Sequence, residues 1–155
     1  MKPRIEYSEA APGAMQAMLG LEQYLDRTNL DGRLRDLVRL RASLINGCAF
    51  CVNLHSNALR VAGETETRLQ LVSVWRDAPV FTPRERAAFA WTDAVTHLHT
   101  GHVSDEVFAE VRPHFTDGEL VDLTLAVATI NAWNRLSIAF RAVPETVETT
   151  EQVPA

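Results

Sequence analysis

The sequence predicts an all-α protein of about six to seven helices that form a single domain over residues 1–155. Three observations lead to this fold class. Apolar residues such as Leu120 and Leu123 recur at helical spacing along most of the chain. Helix start residues precede these stretches, as where Thr82 stands three positions before Glu85 in a capping box. No alternating run of apolar and polar residues between turns indicates a strand.

The first two predicted helices precede the only two cysteines of the chain. Helical spacing of methionine and leucine residues predicts the first helix over residues 12–26. Asp31 is the predicted N-cap of the second helix, which continues to Ile45. Asn46 and Gly47 follow it and are typical of a turn, so the chain should reverse there.

The next two predicted helices follow that turn. The third carries both cysteines near its start and ends at Gly63, a residue that favours helix C-caps. The fourth is short, beginning at Thr65 and extending to Trp75, and Pro79 forces a loop after it because proline lacks the amide hydrogen that a helix interior needs.

Three further helices complete the predicted domain core, residues 12–141. One begins at the Thr82 capping box and continues to about His97, and a shorter one is capped by Ser104. Thr116 opens a long last helix that reaches about residue 140. The acidic tail, residues 144–155, is expected to be disordered or packed on a neighbouring chain.

Composition and charge exclude several functions. The 155 residues are 46% hydrophobic and carry a formal net charge of −5, which gives no electrostatic reason to expect nucleic acid or an anionic membrane as a partner. The N-terminus lacks the apolar stretch of a signal peptide, and no apolar run approaches the ~18 residues of a membrane span. We therefore expect a cytoplasmic protein, in which two cysteines favour metal binding or redox chemistry over a structural disulfide.

The cysteine motif carries the candidate chemistry. Cys48 and Cys51 form a C-x-x-C pair on the first turn of the third helix, and His55 follows four residues after Cys51. Cys51 and His55 therefore share one helix face, and a helix N-terminus with a nearby imidazole is expected to lower the pKa of the Cys51 thiol. A tetrahedral zinc site needs four ligands, whereas only three candidates are close in sequence.

Three stretches around this motif resemble one known family. They are LRDLVRLRASLINGCAFCVNLHSNALRVAGE, VWRDAPVFTPRERAAFAW and ELVDLTLAVATINAWNRL, and together they resemble the carboxymuconolactone decarboxylase-like superfamily, in particular its alkyl hydroperoxidase D branch. The resemblance implies an all-helical fold that assembles into homotrimers or homohexamers. It also implies a thiol peroxidase that needs no metal, haem or other cofactor and uses a small hydroperoxide with an external dithiol or thiol reductant.

The same resemblance assigns roles to four residues. Cys51 matches the thiol that attacks the peroxide, Cys48 the resolving thiol that forms a disulfide with it, and His55 the base. The family's acidic residue falls on Asp36, where a glutamate is usual. At about 1.5 Å rise per residue, Asp36 and His55 lie roughly 16 and 12 Å from the turn. Asp36 is therefore expected behind His55 or linked to the thiol by a water molecule, unless it merely pairs with Arg33 or Arg39.

Alternatives remain open from the residues alone. The protein could be a cofactor-free decarboxylase of the same superfamily, which would not need C-x-x-C, or a non-catalytic helical oligomer with inert buried thiols. Asn131 and Asn134 either line a substrate pocket or form hydrogen bonds between helices. Arg41 lies on an apolar stripe and is expected to pair with a carboxylate that the sequence does not identify.

Overall fold

The computed structural model describes residues 2–144, and its secondary structure is entirely helical within them. The eight α-helices of this part are α1 Tyr7–Ala10, α2 Pro12–Asp26, α3 Gly32–Asn46, α4 Ala49–Val61, α5 Glu66–Leu71, α6 Pro83–Thr96, α7 Asp105–Val111 and α8 Asp117–Phe140. Short 3-10 turns follow α5 at Val72–Val74 and α7 at Arg112–His114. The all-α prediction is confirmed. Most of the predicted tail, from residue 145 onward, lies outside the described residues.

The caps inferred from sequence form as expected. Asp31 and Thr65 accept the amide hydrogens of Leu34 and Arg68, and Thr82 and Thr116 each complete a capping box with the glutamate three residues later. These side chains satisfy amide groups that have no partner within the helix, which fixes where α3, α5, α6 and α8 begin.

The structure differs from the prediction in one additional helix and one helix end. The short helix α1 was not expected, because its N-cap makes no side-chain hydrogen bond and it buries no residue. The fourth predicted helix extends to Trp75, whereas α5 ends at Leu71 and the chain continues as a 3-10 turn. Apolar spacing does not distinguish these two helix types over so short a stretch.

The core is built around α3, which packs against α4, α6 and α8. Leu37 of α3, Phe89 of α6 and Leu123 of α8 have no exposed surface. A second, smaller group of buried residues lies beside this core where α3, α4 and α8 meet, and it comprises Ala42, Cys48, Cys51 and Ile130. The cysteines are therefore held by three helices of the core and not by a surface loop.

Helix α2 departs from the predicted core. Apolar residues at helical spacing usually face a core, yet Leu25 is the one buried residue of this helix, and Met15 and Met18 are half-buried. Leu19 is 52% exposed. No helix of the described residues is long and apolar enough to cross a membrane.

Candidate active site

A tight turn places Cys48 at the start of α4. Gly47 ends α3 with φ of 69°, in the left-handed region that residues with a Cβ rarely adopt. Cys48 follows as the N-cap of α4, and its Sγ accepts a hydrogen bond from the amide of Cys51 at 3.3 Å. The two thiols are free, and the residues are 1% and 2% exposed.

A cavity of about 800 Å³ opens in front of one of the two cysteines. Cys51 and His55, which the sequence places on one helix face, both line it, whereas Cys48 does not. Most other lining groups are apolar, among them Ile5, Tyr7, Phe50, Leu54, Trp133 and Val143. The cavity therefore gives access to Cys51 and not to Cys48.

The electrostatics of the thiol pair differ from the sequence-based expectation. A hydrogen bond from the Cys51 thiol, supported by the Cys51 amide, lowers the pKa of Cys48 to about 6 against the opposing effect of burial. Donating that hydrogen bond, together with burial, raises the pKa of Cys51. The lowered pKa was predicted for Cys51, but the N-terminal amide of α4 points to the N-cap sulfur. The surroundings therefore favour ionisation of Cys48 over ionisation of Cys51.

His55 is a weaker base than its sequence position suggests. Burial lowers the pKa of His55, the positive charge of Arg39 acts in the same direction, and Asp36 opposes both, so that the pKa is about 4. The imidazole is consequently uncharged at neutral pH. It can hold or pass on a proton, but it cannot compete with the Cys48 thiolate for the proton of Cys51.

Asp36 lies next to both of the partners considered from sequence, His55 and Arg39. Its Oδ1 lies 3.8 Å from Nδ1 of His55, so it stands behind the imidazole without a direct hydrogen bond. The same oxygen accepts a hydrogen bond from Arg39 Nη1 at 2.9 Å. Arg39 also bonds Glu22, which in turn accepts from Trp133 Nε1 at 2.9 Å. Glu22 and Arg39 both line the cavity.

A network of polar side chains from α3 and α8 surrounds the cysteines, and the sequence analysis identified two of its members, Asn131 and Asn134. Asn46 donates to the side-chain oxygens of Asn131 at 3.0 Å and Asn134 at 2.8 Å, which confirms the interhelical alternative for the two asparagines. Because Asn46 occupies its oxygen, the amide nitrogen of Asn134 faces Ser43, to which it donates at 3.1 Å. Asn134 and Ser137 also hydrogen-bond both thiols and favour their ionised forms.

Ser137 was not singled out from sequence. It lies on the same face of α8 as Asn134, three residues later, and this i, i+3 relation was the signal that could have identified it.

Arg41 lies away from the thiols. It pairs with Asp93 of α6 at 2.7 Å and not with Asp36. A separate recess of about 310 Å³ is bordered by His97 and His102. Among residues 2–144, no three histidine, cysteine or carboxylate side chains converge as a metal site would require.

Comparison with known proteins gives consistent matches. Residues 12–94 match the model of the carboxymuconolactone decarboxylase family. The chain is 37% identical to the uncharacterised protein YdfG of Bacillus subtilis over 139 residues, which are 90% of this chain and 95% of that protein.

Solved structures also include relatives of this chain. A protein of unknown function from Agrobacterium tumefaciens, for which an antioxidant defence role of the AhpD kind has been suggested, superposes with a TM-score of 0.91. It is 43% identical and covers 94% of this chain and 99% of its own. The debrominase Bmp8 superposes with a TM-score of 0.79 at 18% identity, over 89% of this chain and 74% of its own, which is a likeness of fold alone.

Proposed function

This chain belongs to the carboxymuconolactone decarboxylase family, in its alkyl hydroperoxidase D branch, and from that premise we propose that it is a thiol-dependent peroxidase. It reduces hydroperoxides through the Cys48 and Cys51 pair and thereby acts as an antioxidant enzyme in the cytoplasm. The observation that carries the proposal is the cavity, which reaches Cys51 and His55 while the partner thiol of Cys48 lies directly behind.

The first step is attack by Cys51 on the hydroperoxide. The Cys51 thiol donates its hydrogen bond to the Cys48 thiolate, and its proton passes along this bond only as the Cys51 sulfur begins to bond to the peroxide. This sulfur bonds to the terminal oxygen of the peroxide, and the O–O bond breaks. The alkoxide leaves with a proton that the uncharged His55 ring relays from solvent, so the products are an alcohol and a sulfenic acid on Cys51.

The second step closes a disulfide. Cys48 condenses with the sulfenic acid, and the oxygen leaves as water with the proton that Cys48 had taken up. Two electrons have then passed from the two sulfurs to the peroxide. An external dithiol or thiol returns them by exchange with the Cys48–Cys51 disulfide.

The two alternatives fit the site less well. A decarboxylase has no use for a thiol pair in which one sulfur is ionised near neutral pH. A non-catalytic oligomer would leave unexplained why Cys51 and His55 share a cavity large enough for an organic molecule.

Rapid mixing of the pre-reduced protein with a hydroperoxide tests the function. We expect wild type to form the disulfide, Cys51→Ser to consume no peroxide, and Cys48→Ser to turn over once and retain a sulfenic acid on Cys51. Replacement of Val61, which is 90% exposed on α4, by Ala is the matched control and should react as wild type does. Trapping the sulfenic acid on Cys48 would reverse the roles, and no peroxide consumption by wild type would refute the function.

A further inference from the structure

The N-terminal segment, residues 3–8, forms one wall of the cavity in front of Cys51. Its attachment is specific: the Arg4 amide donates to the carbonyl of Phe140 at 2.8 Å, and the Arg4 guanidinium donates to the carbonyl of Ala139 at 3.1 Å. The ring of Tyr7 packs on that of Phe140 with centroids 5.9 Å apart. The two ends of the described chain therefore meet beside the reactive thiol.

This wall lies outside the part of the chain that matches the family model, which begins at residue 12. It contributes Ile5 and Tyr7, and it faces a cavity lined elsewhere by Phe50, Leu54 and Trp133. Since a water molecule accounts for about 30 Å³ of liquid, hydrogen peroxide would leave a cavity of about 800 Å³ nearly empty. Apolar cavities of roughly 300–1,000 Å³ are typical of sites for organic molecules.

The charges around the cavity disfavour an anionic substrate. Arg39 is the one cationic side chain among the lining residues, and it is already bonded to Glu22 and Asp36. Glu6 adds a further carboxylate to the lining, and His55 is uncharged at neutral pH. A carboxylate on the substrate would thus meet an excess of negative charge in a partly desolvated space.

We propose that residues 3–8 are a specificity-determining wall, which selects an uncharged organic hydroperoxide with an apolar body over hydrogen peroxide and over hydroperoxides that carry a carboxylate. This inference rests on the peroxidase function proposed above. It assigns the choice of substrate to a segment that supplies no catalytic group and contacts α8 at its C-terminal end.

The first test compares three peroxides on the pre-reduced full chain: hydrogen peroxide, cumene hydroperoxide and the para-carboxylate of cumene hydroperoxide. Each single-turnover rate of Cys51 oxidation is divided by the rate of the same peroxide with a free thiol, which removes differences in intrinsic reactivity. The normalised rate with cumene hydroperoxide should exceed the other two by about tenfold or more. Equal normalised rates would overturn the inference while leaving the peroxidase function intact, and absence of reaction with all three would overturn both.

The second test alters the wall. Ile5 is 48% exposed, so Ile5→Ala removes apolar contacts without opening the core, and it should reduce the preference for cumene hydroperoxide over hydrogen peroxide about fivefold. A chain that begins at residue 11 should lose most of that preference. Because α1 buries no residue, this truncation should retain the helical circular dichroism of the full chain.

Val61→Ala serves again as the control, because Val61 does not line the cavity. It should retain the full preference. If both Ile5→Ala and the truncation retain it as well, the wall does not determine specificity. Should the truncated chain fail to fold, the Ile5→Ala result decides alone.

Discussion

Cys48 and Cys51 are one helical turn apart, yet they have opposite electrostatic surroundings. Cys48 accepts hydrogen bonds from the thiol and the amide of Cys51, which lower its pKa to about 6. Replacement of Cys51 by Ala removes the thiol donor and should raise the pKa of Cys48 by one unit or more, toward its ordinary value of 9.0. Cys51→Ser keeps a donor and should raise it less. Ultraviolet absorbance of the thiolate against pH measures both shifts, and equal shifts would show that the side-chain donor is not the cause.

His55 gives a second prediction at this scale. Its pKa is 6.5 when exposed and about 4 in the folded protein, so in this interval the unfolded chain binds more protons than the native one. The free energy of unfolding therefore falls as the pH falls from 6.5 to 4, by on the order of 3 kcal/mol from this residue. His55→Gln, which cannot be protonated, should lack that part of the acid sensitivity.

Urea unfolding of both proteins at neutral pH and near pH 4 tests this. The carboxylates of the chain affect wild type and variant alike, so the difference between the two proteins isolates His55. Parallel losses of stability in the two would contradict a depressed His55 pKa.

At the scale of helices, sequence predicted the elements well because their boundaries depend on local chemistry. Capping residues such as Thr82 and Thr116 accept hydrogen bonds from amides in the first turn of their own helix. Gly47 adopts a positive φ, which the residue type alone indicates because glycine favours this conformation. The pairing of Cys51 with His55 followed for the same reason. The depressed pKa of His55 depends instead on burial and on the charge of Arg39 from α3, and the lowered pKa of Cys48 depends on the direction of the hydrogen bond between the two thiols. Neither can be predicted from local sequence spacing.

The turn at Gly47 gives a prediction for the junction of α3 and α4. A Cβ there meets no atom within 4 Å, so Gly47→Ala tests the backbone conformation and not crowding. Its φ of 69° should make the substitution destabilise the fold by about 1–2 kcal/mol. It should also raise the pKa of Cys48 by displacing its sulfur from the α4 amide.

Gly118→Ala is the matched control for this experiment. Gly118 lies in the first turn of α8 without a positive φ and with equally open surroundings, so its replacement should be neutral or slightly stabilising. Chemical unfolding and thiolate absorbance provide the two readings. If Gly47→Ala matches Gly118→Ala in both, the left-handed turn does not position Cys48.

At the scale of the whole molecule, α2 leaves most of its apolar side chains exposed or half-buried. It has 15 residues, several of them large and apolar, but Leu25 alone is buried by the residues that the structure describes, 2–144. Amphipathic helices are stabilised chiefly by packing of their apolar face. The family resemblance implies homotrimers or homohexamers, so we expect a second copy of this chain to cover the exposed face of α2.

The exposed apolar face of α2 predicts that the protein assembles into oligomers. Light scattering should give a mass several times 17.3 kDa for wild type. Leu19 and Leu21 are exposed on α2, and Leu19→Lys should lower the mass to that of a smaller assembly or a monomer, because a buried ammonium group without a partner is strongly unfavourable. Val61→Lys places the same charge on α4 at a position that is 90% exposed and should leave the mass unchanged. A monomeric wild type at micromolar concentration would contradict assembly, and an unchanged mass for Leu19→Lys would remove this face of α2 from the interface.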